Sequence, residues 1–64
     1  MTAHVLLVDD STTIRMVLAA ELREAKFKVT PVPTLDGARR AIAQSRERDP
    51  FDLAILDLQL PDGD

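Results

Sequence analysis

The sequence predicts an α/β fold built on a parallel sheet, in the order strand, helix, strand, helix, strand. Residues 5–8 and 53–56 are short, continuous apolar runs, which are typical of strands buried on both faces of such a sheet. Between them lie two segments in which apolar residues recur every three or four positions, as on one face of a helix. This alternation implies right-handed crossovers between parallel strands.

Two amphipathic helices are expected to connect the strands. Ser11 and Thr34 are suited to cap them, because each hydroxyl can accept a hydrogen bond from a free main-chain N–H group. Asp49-Pro50 should end the second helix, since the residue before proline avoids helical geometry. The predicted apolar stripes are Ile14, Val17, Leu18, Leu22 and Ala25 in the first helix, and Leu35, Ala38, Ala41, Ile42 and Ser45 in the second.

The middle strand is predicted over residues 27–30, where apolar and polar residues alternate. Pro31 follows it and cannot donate to a ladder, which is tolerated at the edge of a sheet. We therefore place the first strand between the second and the third, in the order 2-1-3. His4 precedes the first strand and is expected to be solvated, with no metal role.

Composition limits the classes of function. The 64 residues are 45% hydrophobic and 30% charged, which is too apolar for a disordered tail. The absence of cysteine excludes a disulfide framework or a zinc knuckle, and a net charge of −3 argues against nucleic acid as the main partner. Neither a membrane helix nor a signal peptide is recognisable, so the expected location is cytoplasmic.

Three carboxylates are predicted to meet at one edge of the sheet. Asp9 and Asp10 follow the first strand and Asp57 follows the third, at the switch point where open α/β sheets bind ligands. Neighbouring carboxylates need a compensating cation, and Mg²⁺ suits a site with few protein ligands and phosphate oxygens. The third acid could then attack phosphorus. Alone, Asp9-Asp10 would more simply be a helix cap; the joint spacing favours a functional site.

Three segments resemble the receiver domain of two-component response regulators, including the chemotaxis receivers. They are VLLVDDS at residues 5–11, LDGA at residues 35–38 and FDLAILDLQLPDG at residues 51–63. The resemblance covers residues 1–64 and implies the N-terminal half of a single receiver domain. That domain is a flavodoxin-like, doubly wound parallel sheet of five strands and five helices.

The resemblance implies a phosphoacceptor domain and not an enzyme, with at most self-phosphorylation and slow self-dephosphorylation. Asp57 would accept a phosphoryl group from a histidine kinase or phosphotransfer protein and so switch an output. Asp10 would bind Mg²⁺ directly, Asp9 through water, and Gln59 through its main-chain carbonyl, beside a loop shaped by Pro61 and Gly63. The family's later hydroxyl residue and lysine follow strands four and five, and they have no counterpart in this chain.

Two other functions stay open from the sequence. One is a degenerate receiver that docks partners without being phosphorylated. The other is a phosphohydrolase of the haloacid dehalogenase type. The motif of those enzymes is Asp-x-Asp, with one residue between the acids, whereas Asp9 and Asp10 are adjacent.

The third strand raises a separate expectation. If the chain ends after it, Leu53, Ile55, Leu56 and Leu58 lie on a strand with no neighbour at its far edge. Exposed apolar edges invite pairing with another chain, so such a fragment is expected to be unstable alone or to associate through this edge.

Overall fold

A computed structural model describes residues 2–45 and 48–57 of the chain. It contains β1 (His4–Asp9), α1 (Thr12–Glu24), β2 (Lys28–Val32), α2 (Leu35–Ser45) and β3 (Leu53–Asp57). The strands form one parallel sheet in the order β2-β1-β3. Both the predicted element order and the predicted strand order, that of the first half of a flavodoxin-like sheet, are confirmed.

β1 is the centre of the core, and all six of its residues are buried. Successive side chains of a strand point to opposite faces, so β1 serves both sides of the sheet. Leu6 and Val8 pack with Ala38 of α2 on one face. Leu7 packs with Ala19 of α1 on the other. The central strand therefore joins two separate apolar clusters.

Both predicted helix caps are confirmed. The N–H of Ile14 donates to Ser11 Oγ at 3.3 Å, and the N–H of Gly37 donates to Thr34 Oγ1 at 3.0 Å. α2 spans Leu35–Ser45, and residues 46 and 47, between it and the predicted stop at Asp49-Pro50, lie outside the described residues.

The apolar stripes of the helices are narrower than predicted. α1 packs on the sheet through Leu18, Ala19 and Leu22, and α2 packs through Ala38 and Ala41. Five of the predicted stripe residues are exposed: Ile14, Val17, Ala25, Leu35 and Ile42. Among the described residues, a sheet of three strands covers only a narrow face of each helix, which leaves the outer parts of both stripes exposed.

The end of α1 was not predicted. Lys26 has φ 77°, in the left-handed region. The N–H of Phe27 donates to the Leu22 carbonyl at 3.0 Å, and that of Lys26 donates to the Arg23 carbonyl at 2.9 Å. This is a Schellman motif, which usually has glycine where Lys26 stands, so the sequence offered no signal for it.

β2 is an edge strand, as predicted, but it runs to Val32 and includes Pro31. The N–H of Lys28 donates towards β1, to the Ala3 carbonyl at 2.9 Å. Because main-chain groups alternate in direction along a strand, the nitrogen of Pro31 faces away from β1. The proline therefore costs the sheet no hydrogen bond.

The prediction of a solvated His4 is wrong. His4 opens β1 with only 5% of its surface exposed. Its Nε2 lies 2.8 Å from Thr30 Oγ1, its Nδ1 lies 3.1 Å from the Asp49 carbonyl oxygen, and its ring centroid lies 4.2 Å from that of Phe51. These partners come from β2 and from the α2–β3 connection, which is why the residues around His4 gave no sign of them.

The prediction of full burial for β3 is also wrong. Leu53 is 54% exposed and Leu56 is 61% exposed, while Ile55 and Asp57 are half-buried. In the described part of the chain, β3 pairs with β1 alone. Its apolar sequence is that of a covered strand, but its neighbours cover little of it.

Candidate functional site

The carboxyl ends of β1 and β3 bring Asp9 and Asp57 together. The strands pair in a register that sets Val5 opposite Leu53 and Asp9 opposite Asp57. Neighbouring strands lie about 4.8 Å apart, so the two acids flank the crevice at which the strand order reverses. The predicted convergence of these two strand ends is confirmed.

Asp9 is the buried member of this pair, with 1% of its surface exposed. Its Oδ1 accepts a hydrogen bond from the Ser11 N–H at 2.9 Å. Its main-chain carbonyl accepts one from Nη1 of Arg15 at 2.8 Å. The two bonds fix the turn between β1 and α1. Sequence reasoning missed Arg15, although its place one helical turn after Ser11 puts it on the same face as the cap.

The other carboxylate oxygen of Asp9 is the feature that fits a metal site. Oδ2 is buried and has no hydrogen-bond partner among residues 2–45 and 48–57. Leaving such a group unsatisfied costs roughly 1–3 kcal/mol, and native proteins commonly supply a water or an ion. A carboxylate oxygen is the hard ligand that Mg²⁺ prefers, directly or through water.

The other predicted ligands are less closely assembled. Asp10 follows β1 and is exposed, whereas Asp57 is half-buried. Within the described ranges, no group of three or more histidine, cysteine, aspartate or glutamate side chains is placed to hold a metal ion. Gln59, Pro61 and Gly63 lie outside the described residues.

Comparison with models of protein families shows which family the chain belongs to. The response regulator receiver domain matches residues 5–64, a span that contains Asp9, Asp10 and Asp57. The chain belongs to this family. Membership places it in two-component signal transduction. No curated protein and no solved structure matches the chain.

The receiver sheet has a second polar cluster at its opposite, amino-terminal end. Asp49 forms an ion pair with Lys28, and its Oδ1 lies 3.3 Å from Nδ1 of His4. The hydrogen bond from Lys28 holds the pKa of Asp49 below its ordinary value of 3.8, against the opposing effect of desolvation and with a further contribution from His4. The five residue steps from His4 to Asp9 put this cluster about 16 Å from the candidate site.

The two helices of the described receiver chain do not resemble membrane spans. Neither α1 nor α2 is long and apolar enough to cross a bilayer.

Proposed function

We propose that the chain accepts a phosphoryl group on Asp57 from a phosphohistidine of a histidine kinase or phosphotransfer protein, with Mg²⁺, and thereby switches an output. The observation that supports this best is the register that sets Asp57 opposite Asp9 at the carboxyl edge of the sheet. The proposal includes a cytoplasmic location and the assignment of residues 1–64 to the first half of one receiver domain.

Asp57 is the nucleophile in this proposal. One of its carboxylate oxygens forms a bond to phosphorus while the bond between phosphorus and the donor imidazole nitrogen breaks. The nitrogen keeps the electron pair and takes up a proton from solvent. The product is an aspartyl phosphate, which stays on the chain until water hydrolyses it. The chain is therefore a phosphoacceptor with at most slow self-dephosphorylation, not a turnover enzyme.

The charges at this edge support the proposal of a metal. Asp9 and Asp57 are opposite one another, and the incoming phosphoryl group adds further negative charge. Asp10 and Asp57 would hold Mg²⁺ directly, Asp9 through water and Gln59 through its carbonyl. Bound there, the ion would neutralise the acids and the phosphoryl oxygens.

Removal of the nucleophile tests the assignment. Full-length protein with Asp57→Asn is incubated with Mg²⁺ and a small acyl phosphate, and covalent phosphate is measured by intact mass. We expect uptake by the wild type and none by the variant. Asp36→Asn is the matched control, since it removes the same charge from an exposed position on α2. Uptake by the Asp57 variant at the wild-type rate would show that another residue is the acceptor.

A docking domain without phosphorylation is the second candidate. It is favoured by the exposure of Asp10 and by the lack, in the portion of the chain that is described, of a three-residue group placed for a metal. Magnesium titration followed by NMR separates the candidates. Shifts at the amides of Asp10 and Asp57 support the phosphoacceptor, and unchanged spectra together with no phosphate uptake support docking alone.

A further inference from the structure

Asp52 and His4 form a closed pair of hydrogen bonds at the start of β3. The N–H of Asp52 donates to the His4 carbonyl at 2.8 Å. In return, the N–H of His4 donates to Oδ2 of Asp52, also at 2.8 Å. The His4 ring lies against Phe51 and the Asp49 carbonyl, so it contacts the same short connection. The first residue of β1 is therefore bonded to the residues that lead into β3.

The rest of β3 specifies its register only weakly. A slip of one residue turns every side chain of a strand to the other face, so burial of one face normally fixes the register. In β3, however, Leu53, Ala54 and Leu56 are all exposed. Ile55 is the β3 residue that packs against the cluster around Leu7. Within residues 2–45 and 48–57, few side-chain contacts of β3 would be lost in a shifted register, whereas both bonds between Asp52 and His4 would be lost.

The register decides where Asp57 lies. A slip of one residue moves it about 3.3 Å along the sheet and turns its side chain over, and a slip of two residues moves it about 6.6 Å. Either shift takes Asp57 away from its place opposite Asp9. The contact at Asp52 thus controls the geometry at the far end of the same strand.

We propose that Asp52 is a positioning residue, whose paired hydrogen bonds with His4 fix the register of β3 and so hold the phosphoacceptor Asp57 opposite Asp9. The inference rests on the proposed function, because the placement of Asp57 matters for phosphoryl transfer only if Asp57 is the acceptor. Asp52 immediately precedes β3, at the end opposite Asp57, so it acts through the backbone and touches no reacting group.

The test compares Asp52→Ala with Asp52→Asn in the full-length protein. Alanine removes the acceptor for the His4 N–H, whereas asparagine keeps an oxygen in the same place. The rate of phosphate uptake from a small acyl phosphate is measured at saturating Mg²⁺, well below the unfolding temperature. We expect alanine to slow uptake about tenfold to a hundredfold, as small misplacements of reacting groups do, and asparagine to restore it to within about threefold of the wild type. Asp36→Ala, which removes an exposed charge on α2, should match the wild type.

Two further readouts separate positioning from stability. Cross-strand NMR contacts between Val5 and Leu53 should weaken in the alanine variant, and the Mg²⁺ concentration for half-saturation should rise in its folded population. If the alanine variant does not fold, Asp52→Glu replaces it, because the extra methylene displaces the carboxylate but keeps its charge. Asp52→Glu should then react more slowly than Asp52→Asn.

The possible failures can be told apart. If the wild type takes up phosphate on Asp57, but the alanine variant (or, in its place, the glutamate variant) reacts as fast and keeps its cross-strand contacts, the positioning role is wrong and the proposed function stands. If the wild type takes up no phosphate on Asp57, the proposed function is wrong and the positioning inference fails with it.

Discussion

β1 and β3 have nearly the same sequence pattern and opposite environments. Each strand has an apolar run that ends in aspartate, VLLVD in β1 and LAILD in β3. Every residue of β1 is buried, because it has a strand on each side and a helix packed on each face. In the part of the chain that the structure describes, β3 has one neighbouring strand, and most of its side chains are exposed. An apolar run thus predicts a strand, but the neighbours of that strand decide whether it is covered.

The largest expected effect is on the free energy of unfolding, when one leucine from each strand is replaced. Leu7→Ala should lower the free energy of unfolding by about 2–5 kcal/mol, because it removes a fully buried side chain. Leu56→Ala should cost less than about 0.5 kcal/mol, because that side chain is largely exposed. Urea denaturation of the two variants measures both. Equal losses would mean that β3 is covered as fully as β1 in the native protein.

The exposed edge of β3 gives the next comparison. At high concentration, we expect the isolated 64-residue chain to associate through this edge, and light scattering gives its molar mass. Leu56→Lys should prevent association, because a charge on an edge strand opposes pairing. Leu35→Lys introduces the same charge at an exposed position on α2 and should leave association unchanged. A compact monomer that unfolds cooperatively would contradict the expectation.

The acids that end the two strands should respond differently to magnesium. In metal-free buffer, Asp9→Asn should raise the free energy of unfolding by roughly 1 kcal/mol, because it removes a buried charge that faces Asp57 and keeps the acceptor for Ser11. Asp57→Asn should have a smaller effect, since Asp57 is half-buried. Mg²⁺ should stabilise the wild type more than Asp9→Asn in thermal unfolding. Equal stabilisation of the two proteins would show that Asp9 does not contribute to Mg²⁺ binding.

The smallest effect concerns pH and the amino-terminal end of the sheet. The pKa of Asp49 is lowered by Lys28, so the ionised carboxylate favours the folded state. Its contribution is present above the ordinary value of 3.8 and is lost as the pH falls through the lower folded-state pKa. The wild type should therefore lose more stability than Asp49→Asn between about pH 5 and about pH 3, as measured by urea midpoints. Parallel loss in both proteins would show that this ion pair does not stabilise the fold.

Local patterns predicted the elements that depend on neighbouring residues. Helical spacing and the hydroxyls of Ser11 and Thr34 predicted where both helices begin. Pro31 predicted that β2 is an edge strand. The strand order then followed, and with it the meeting of Asp9 and Asp57.

Side-chain burial that depends on distant partners was not predicted. The burial of His4 depends on Thr30 and Asp49, and the exposure of β3 depends on which strands pair with it. The left-handed Lys26 was missed for a different reason, because lysine stands where glycine is usual.

Pro31 influences the edge at which a further strand can pair with the sheet. Its nitrogen faces the outer side of β2 and carries no hydrogen, so a further strand placed there would lack a donor. In the isolated 64-residue chain, as far as residues 2–45 and 48–57 describe it, another copy would then pair more readily beside β3 than beside β2. Two copies that pair through β3 bury both available edges and leave the β2 edges outermost, which closes the assembly by two-fold symmetry. The same proline that marks an edge in one chain would thus favour dimers over open-ended fibres.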